Sequence, residues 1–325
     1  MRAFVTAVVA VALSTVMLMS EKAPSEDLKV FGSKTVTRIG VVVNNVGKTA
    51  KAFSDIFGVD VSPSVEMRPE GFPRNEGAHL RVAEAKFDNM IIEISQPMGG
   101  PSPWRDFLTT YGEGIHHVAF NVQSVEANVQ LLEANGGKRI VGDPGGKFAV
   151  VDLMSQIGIN IVLNESQEVP NYVSMRDPEA TASGGLKTVA RLGLLGPDTD
   201  TRRDVFNNIF GISVPEPVDE RGLSFPEGFD GDTNSGMRHI FVPFDNIWMN
   251  VIQPIGGESP WGNMVKNHQH YLFFAVDDVN GVVDSMTKLG GKRTLGEAGS
   301  VAAYMDMQEQ LGLTVFLLPG GVLPE

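Results

Sequence analysis

Apolar and polar positions along the chain alternate between two periods. From Val36 to Val43 every second residue, Arg38, Gly40 and Val42, falls on one side, which predicts a half-buried strand. Lys48 to Phe57 then carries Ala52, Phe53, Ile56 and Phe57 at helical spacing, and Gly58 follows as a stop signal. His79 to Ala85 and Met90 to Ser95 read as strands. The order then restarts: a strand over Ile115 to Val122, a helix over Val125 to Ala134 stopped at Asn135-Gly136-Gly137, and strands over Phe148 to Asp152 and Ile159 to Leu163. Residues 166–185 are polar and rich in Pro, Ser and Gly, the composition of a linker.

The same succession returns after that linker. Thr37-Arg38-Ile39-Gly40 leads to Ile56-Phe57-Gly58-Val59, and Ala190-Arg191-Leu192-Gly193 leads to Ile209-Phe210-Gly211-Ile212 with identical spacing. Asp88-Asn89, Gln96-Pro97 and Ser102-Pro103-Trp104 are matched by Asp245-Asn246, Gln253-Pro254 and Ser259-Pro260-Trp261. Gly136-Gly137-Lys138-Arg139, Asp152 and Gly158 recur as Gly290-Gly291-Lys292-Arg293, Asp306 and Gly312. So many matched offsets mean a duplication: two halves, each holding two strand-helix-strands units. A length of 325 residues allows each half its own core.

Charge and composition narrow the partners. The net charge of −13 repels phosphate backbones and no basic cluster overrules it, so nucleic acid is excluded as a partner. With no cysteine, only His, carboxylates, amides and hydroxyls remain for chemistry. Met1-Arg2 precedes an apolar run from Ala3 to Met19 broken only by Thr6, Ser14 and Thr15, so residues 1–20 read as a signal peptide or N-terminal anchor. Leu18-Met19-Ser20 is a poor cleavage motif, which leaves cleaved and anchored forms open. The expected protein is exported, periplasmic or secreted, and meets a membrane only through an uncleaved segment at residues 3–19.

Glu113-Gly114-Ile115-His116-His117-Val118-Ala119-Phe120-Asn121-Val122 resembles the opening strand of the second unit of methylmalonyl-CoA epimerase. Gln96-Pro97-Met98-Gly99-Gly100-Pro101-Ser102-Pro103-Trp104 is similar to that family's loop and short helix. With the helices ending in Phe-Gly and the four-unit layout, the chain resembles the vicinal oxygen chelate superfamily of glyoxalases, bleomycin-resistance proteins and extradiol dioxygenases. The resemblance implies an α+β fold of four βαβββ units in two tandem glyoxalase-like domains, over residues 35–165 and 186–320, each folding its strands around one cleft.

In that superfamily a divalent metal is held by residues on the first and last strands of both units. The matching positions here are Arg38, Glu93, His117 and Val162. Only Glu93 and His117 are donors, since Val has no lone pair and Arg is cationic. Two donors fall short of a catalytic site, so no cofactor is expected, and any divalent metal would be confined to the first half. The second half offers Arg191, Asn250, Tyr271 and Phe316, which disfavours extradiol dioxygenase chemistry. Alternation predicts a first cleft also lined by Asn121 and Asn160, with His79 and Arg81 as further substrate-binding candidates, and a second cleft that is filled or greasy.

Two readings follow for the first cleft. In one, Arg38 replaces the metal's charge and holds a carboxylate or enolate while Glu93 or His117 moves a proton, giving isomerase, epimerase or lyase chemistry on a small oxygenated acid or carbonyl compound. In the other, the cleft binds and sequesters a small molecule without turnover, or Arg38 and Glu93 simply form an ion pair. His116 is expected to face away from the cleft and, like its repeat mate His270, to be structural. Asp152 and Asp306 read as turn residues, and Trp104 and Trp261 as packing of a short helix behind Ser-Pro.

Overall fold

The computed structural model describes residues 29–320 apart from 70, 73–76, 169–171, 173–184, 222–233, 258–259, 267 and 297–301. The predicted signal segment and most of the predicted linker lie outside the described residues. Among the described residues no helix is long and apolar enough to cross a membrane.

In the first half β1 (Val36–Val42) leads into α1 (Val46–Phe57), β2 (Asp60–Val61), β3 (Val65–Met67), β4 (His79–Lys86) and β5 (Ile91–Met98). After α2 (Pro103–Tyr111) come β6 (Gly114–Val122), α3 (Val125–Ala134), β7 (Lys138–Val141), β8 (Phe148–Asp152) and β9 (Asn160–Glu165). The strands form one sheet in the order β2-β4-β5-β1-β6-β9-β8-β7, with β3 beside β4. The second half repeats this with β10 (Arg191–Leu195), α4 (Thr199–Phe210), β11 (Val218–Arg221), β12 (Gly236–Pro243), β13 (Trp248–Ile255), α5 (Pro260–Lys266), β14 (Tyr271–Val276), α6 (Val279–Lys288), β15 (Lys292–Leu295), β16 (Ala303–Met307), α7 (Gln308–Leu311) and β17 (Leu313–Pro319). Its order, β11-β12-β13-β10-β14-β17-β16-β15, is the same topology. Two tandem α+β domains are therefore present.

Local chemistry sets the helix limits. Asn45 caps α1 by accepting from the Lys48 N–H, so the helix starts at Val46, two residues before the Lys48 that the sequence pattern marks. Gly58 and Gly211 end α1 and α4 in the left-handed region, at φ 64° and 59°, where a side chain would be disfavoured. The Phe-Gly repeat is thus a helix stop. Asp152 is the last residue of β8 and Asp306 the next-to-last of β16 rather than turn residues, and each carboxylate caps the chain that follows by accepting a backbone N–H two residues on, from Met154 and Gln308.

Each sheet has one face turned to a core shared by both halves and one face turned to its own cleft. In β1, Ile39 and Val41 join the shared core, while Val42 belongs to the cleft-side cluster with Leu80, Val82, Ala119 and Val162. Phe57 of α1 stacks on Phe274 of β14 at 4.7 Å, and Phe120 of β6 lies 5.8 Å from Phe244 of the second half. Such ring pairs add to the burial that holds the halves together.

A polar clasp completes that junction. Asn89 donates to the carbonyls of Val189 and Asn246, at 2.8 and 2.7 Å, and accepts from the Val189 N–H at 3.1 Å. Its repeat mate Asn246 does the reverse, donating to the carbonyls of Val36 and Asn89 at 2.7 and 2.6 Å and accepting from the Val36 N–H at 3.0 Å. The Asp-Asn repeat is a pair of side chains that each secure the chain leading into the other half's first strand. Both are fully buried.

Candidate active site

The cleft face of the first sheet encloses a cavity of about 370 Å³. Arg38 of β1, Glu93 of β5, His117 of β6 and Val162 of β9 all line it. Leu80, Val82, Trp104, Ala119 and Phe148 supply apolar wall, the usual background for a few convergent polar groups. Gly40 explains how the polar groups approach each other. It pairs with Glu93 on one side and His117 on the other, and a Cβ there would overlap the imidazole ring. The absent side chain lets His117 lie across β1, where its Nε2 is 3.9 Å from Glu93 Oε1. Ser95 donates to the same Glu93 oxygen at 2.8 Å.

Arg38 does not pair with Glu93. Its Nη2 donates to Glu84 Oε1 at 3.3 Å, and Glu84 stands directly opposite Glu93 across β4 and β5. Glu84 is a cavity residue that the sequence reading missed, together with Met67, Arg68 and Pro69. The cause lies in β4. Its cleft-facing residues are Leu80, Val82 and Glu84, so the proposed His79 and Arg81 fall on the alternate positions. There Arg81 donates to Glu66 of β3 at 2.8 Å, and His79 binds the Gly77 carbonyl through Nδ1 at 2.8 Å. Neither lines the cavity.

Asn121 and Asn160 are also corrected. Asn121 donates to the Glu168 carbonyl at 3.0 Å, outside the cavity lining. Asn160 is buried and donates to His116 Nε2 at 3.1 Å. His116 stays outside the cavity lining, as expected, but packs on the cleft side of the sheet behind His117. The pairing of β1 with β6 jumps from Gly40 opposite His117 to Val41 opposite Ile115, leaving His116 as the extra residue of a β-bulge. The bulge brings its ring against Trp104, centroids 5.1 Å apart, with its Nδ1 3.0 Å from Nδ1 of His117.

Burial holds these imidazoles neutral. It pushes His116 well below its usual range, with the neighbouring His117 and His268 adding to the effect. His117 is lowered by burial, opposed by Glu93 and assisted by Arg38. Across the junction His270 is likewise well below its usual value through burial, and His268 is pushed down to about 4. Each group binds a proton in the unfolded chain below its ordinary value of 6.5 while the folded chain resists it. Their contribution to stability is therefore complete above that pH and is lost as the pH falls from there toward 4. Melting temperatures are expected to drop between about pH 7 and pH 5, above most carboxylate titration; constant values over that range would contradict the buried neutral imidazoles.

The second cleft is filled by its own side chains. Asn250 donates to the Tyr271 hydroxyl at 3.2 Å, and Tyr304 stacks on Phe316 at 4.0 Å. The Arg191 guanidinium lies over Phe273 at 4.5 Å and Phe241 at 5.1 Å. His270 is structural as expected: its Nδ1 accepts from the Leu195 N–H and its Nε2 donates to the Gly158 carbonyl of the first half.

The first cleft does not fit a divalent ion. Glu93 and His117 are the only donors at the four strand positions, and among the described residues no group of three or more His, Asp or Glu is placed to hold a metal.

These features define a tandem pair of α+β domains of like topology, with a cavity at the cleft face of the first. Residues 37–152 match the family model described as Glyoxalase/Bleomycin resistance protein/Dioxygenase superfamily, a span that lies within the first half of the chain. The chain is similar to mitochondrial methylmalonyl-CoA epimerases, with 24% identity over 106 residues in Dictyostelium discoideum and 29% over 136 residues in Bos taurus. Those alignments cover 31% and 40% of this chain, and 57% and 67% of the relatives. The chain thus spans little more than half the length of the Dictyostelium protein. In structure, a mutant 4-hydroxymandelate synthase from Streptomyces coelicolor superposes with a TM-score of 0.59 at 14% identity, covering 88% of this chain and 92% of that one. That likeness extends the shared fold to both halves.

Proposed function

We propose that the first cleft is an active site that moves a proton on and off the carbon beside the carbonyl of a small organic acid or its derivative. The observation that carries this reading is the convergence of Arg38, Glu93 and His117 on one cavity. Glu93 takes the proton as the C–H bond breaks, and the electron pair passes to the carbonyl oxygen to give an enolate. Return of the proton to either face of the carbon completes an epimerisation; loss of a leaving group from the next carbon would make the reaction a lyase step. Neutral His117 donates a hydrogen bond to the enolate oxygen, since an imidazole with a lowered pKa polarises without giving up its proton. Arg38 holds the carboxylate. A guanidinium has five N–H groups, so the bond to Glu84 leaves others for a ligand.

Arg38 supplies on this reading the positive charge that a metal gives elsewhere in the superfamily. The epimerase relatives support proton transfer as the reaction class. Export of the chain through its N-terminal segment is part of the same proposal, and rests on the apolar run at residues 3–19.

Thermal-shift titration with a panel of small carboxylic acids tests the site. A binding acid should stabilise the wild type, and Arg38→Ala should weaken its binding by about tenfold or more, the value of a charge-assisted hydrogen bond. Equal stabilisation of both proteins would place the binding site elsewhere. Binding that survives without any proton exchange would identify a sequestering protein instead.

A further inference from the structure

We infer that Asn160 and His116 are positioning residues that hold His117 in the tautomer with its proton on Nε2, facing the cavity. The inference rests on the proposed site and assigns a role to two buried groups that touch neither cavity nor substrate. The geometry is a single chain of contacts. Asn160 Nδ2 is 3.1 Å from His116 Nε2, His116 Nδ1 is 3.0 Å from His117 Nδ1, and His117 Nε2 is 3.9 Å from Glu93 Oε1.

A chain of this kind has a direction. The Asn160 amide nitrogen can only donate, so His116 Nε2 must accept and the proton of a neutral His116 sits on Nδ1. That proton can only be given to His117 Nδ1, which leaves the proton of His117 on Nε2. The far end agrees, because an Nε2–H meets the Glu93 carboxylate favourably where a lone pair would be repelled. Reversing any member would set two donors or two acceptors against each other in a buried place, at a cost of about 1–3 kcal/mol.

Three local features hold the chain in place. The bulge at His116 brings two consecutive imidazoles to the same side of β6, which a regular strand forbids. Trp104 stacks on the His116 ring and fixes its plane. The parallel pairing of β6 with β9 sets Asn160 beside His117, within reach of the neighbouring His116. In the second half Tyr271 occupies the place of His117, and His270 turns to backbone partners. The relay belongs to the open cleft alone.

Long-range proton–nitrogen correlation spectra of the full chain read the tautomer directly and need no substrate. The measurement is best made in a Glu93→Gln background, where a neutral amide that can donate or accept removes the bias from the far end. There His117 should retain the Nε2–H pattern. Adding His116→Gln, which keeps a side-chain donor, should preserve it. Adding His116→Leu or Asn160→Leu should lose it to a mixed pattern; two sites guard against one variant failing to fold, which a melting curve reports. An unchanged Nε2–H pattern in both leucine variants would overturn the inference. If instead the tautomer responds as expected while no acid binds the wild type, the relay stands and the proposed function fails.

Discussion

Glu93→Gln is expected to slow exchange of the substrate's labile C–H with solvent deuterium by about 10²–10⁴-fold, the range for removal of a positioned general base. The amide keeps the size of the side chain and can still meet Ser95 and His117, but it cannot accept a proton from carbon. The loss should therefore appear in kcat, with KM little changed, because Arg38 and the apolar walls still hold the ligand. Glu84→Gln is the informative contrast. Glu84 also lines the cavity, but it is bonded to Arg38, so its replacement should alter acid binding and leave exchange in place. Exchange that persists in Glu93→Gln and vanishes in Glu84→Gln would transfer the base to the opposite strand.

Asn89→Ala and Asn246→Ala are each expected to destabilise the folded chain by about 3 kcal/mol or more. Each Asn makes three hydrogen bonds to buried main chain, and alanine leaves those backbone groups without partners at about 1–3 kcal/mol each. Because the clasp joins the halves, urea denaturation should show the whole chain losing stability rather than one half. A loss below about 1 kcal/mol would mean that water replaces the amide without cost.

The fold was readable because the repeat fixes it twice over. Matched offsets aligned the strands of one half with those of the other, and the two-residue period of β1 correctly put Arg38 and Gly40 on the cleft face. In β4 that logic failed. His79, Arg81 and Glu84 put polar side chains on both faces, so alternation alone could not choose between them. The choice is made by pairing with β5, which sets Glu84 against Glu93. His116 was misread for a different reason: an inserted bulge residue breaks the period, and no local residue type announces it. The filling of the second cleft was legible, since Trp248, Tyr271, Phe273 and Phe316 cannot all share an empty space. What those rings do with their hydroxyls and with Arg191 required the structure.

The filled second cleft has a consequence for stoichiometry. A duplicated chain would ordinarily carry two equivalent ligand sites, and its saturation curve could bend through communication between them. Here Tyr271, Tyr304 and Phe316 already occupy the space that a second ligand would take. With the proposed site in the first cleft, one molecule per chain and a simple hyperbolic isotherm are the expected result, and titration calorimetry showing two molecules per chain would contradict it. Any sigmoidal response would then have to arise between separate chains, not within one.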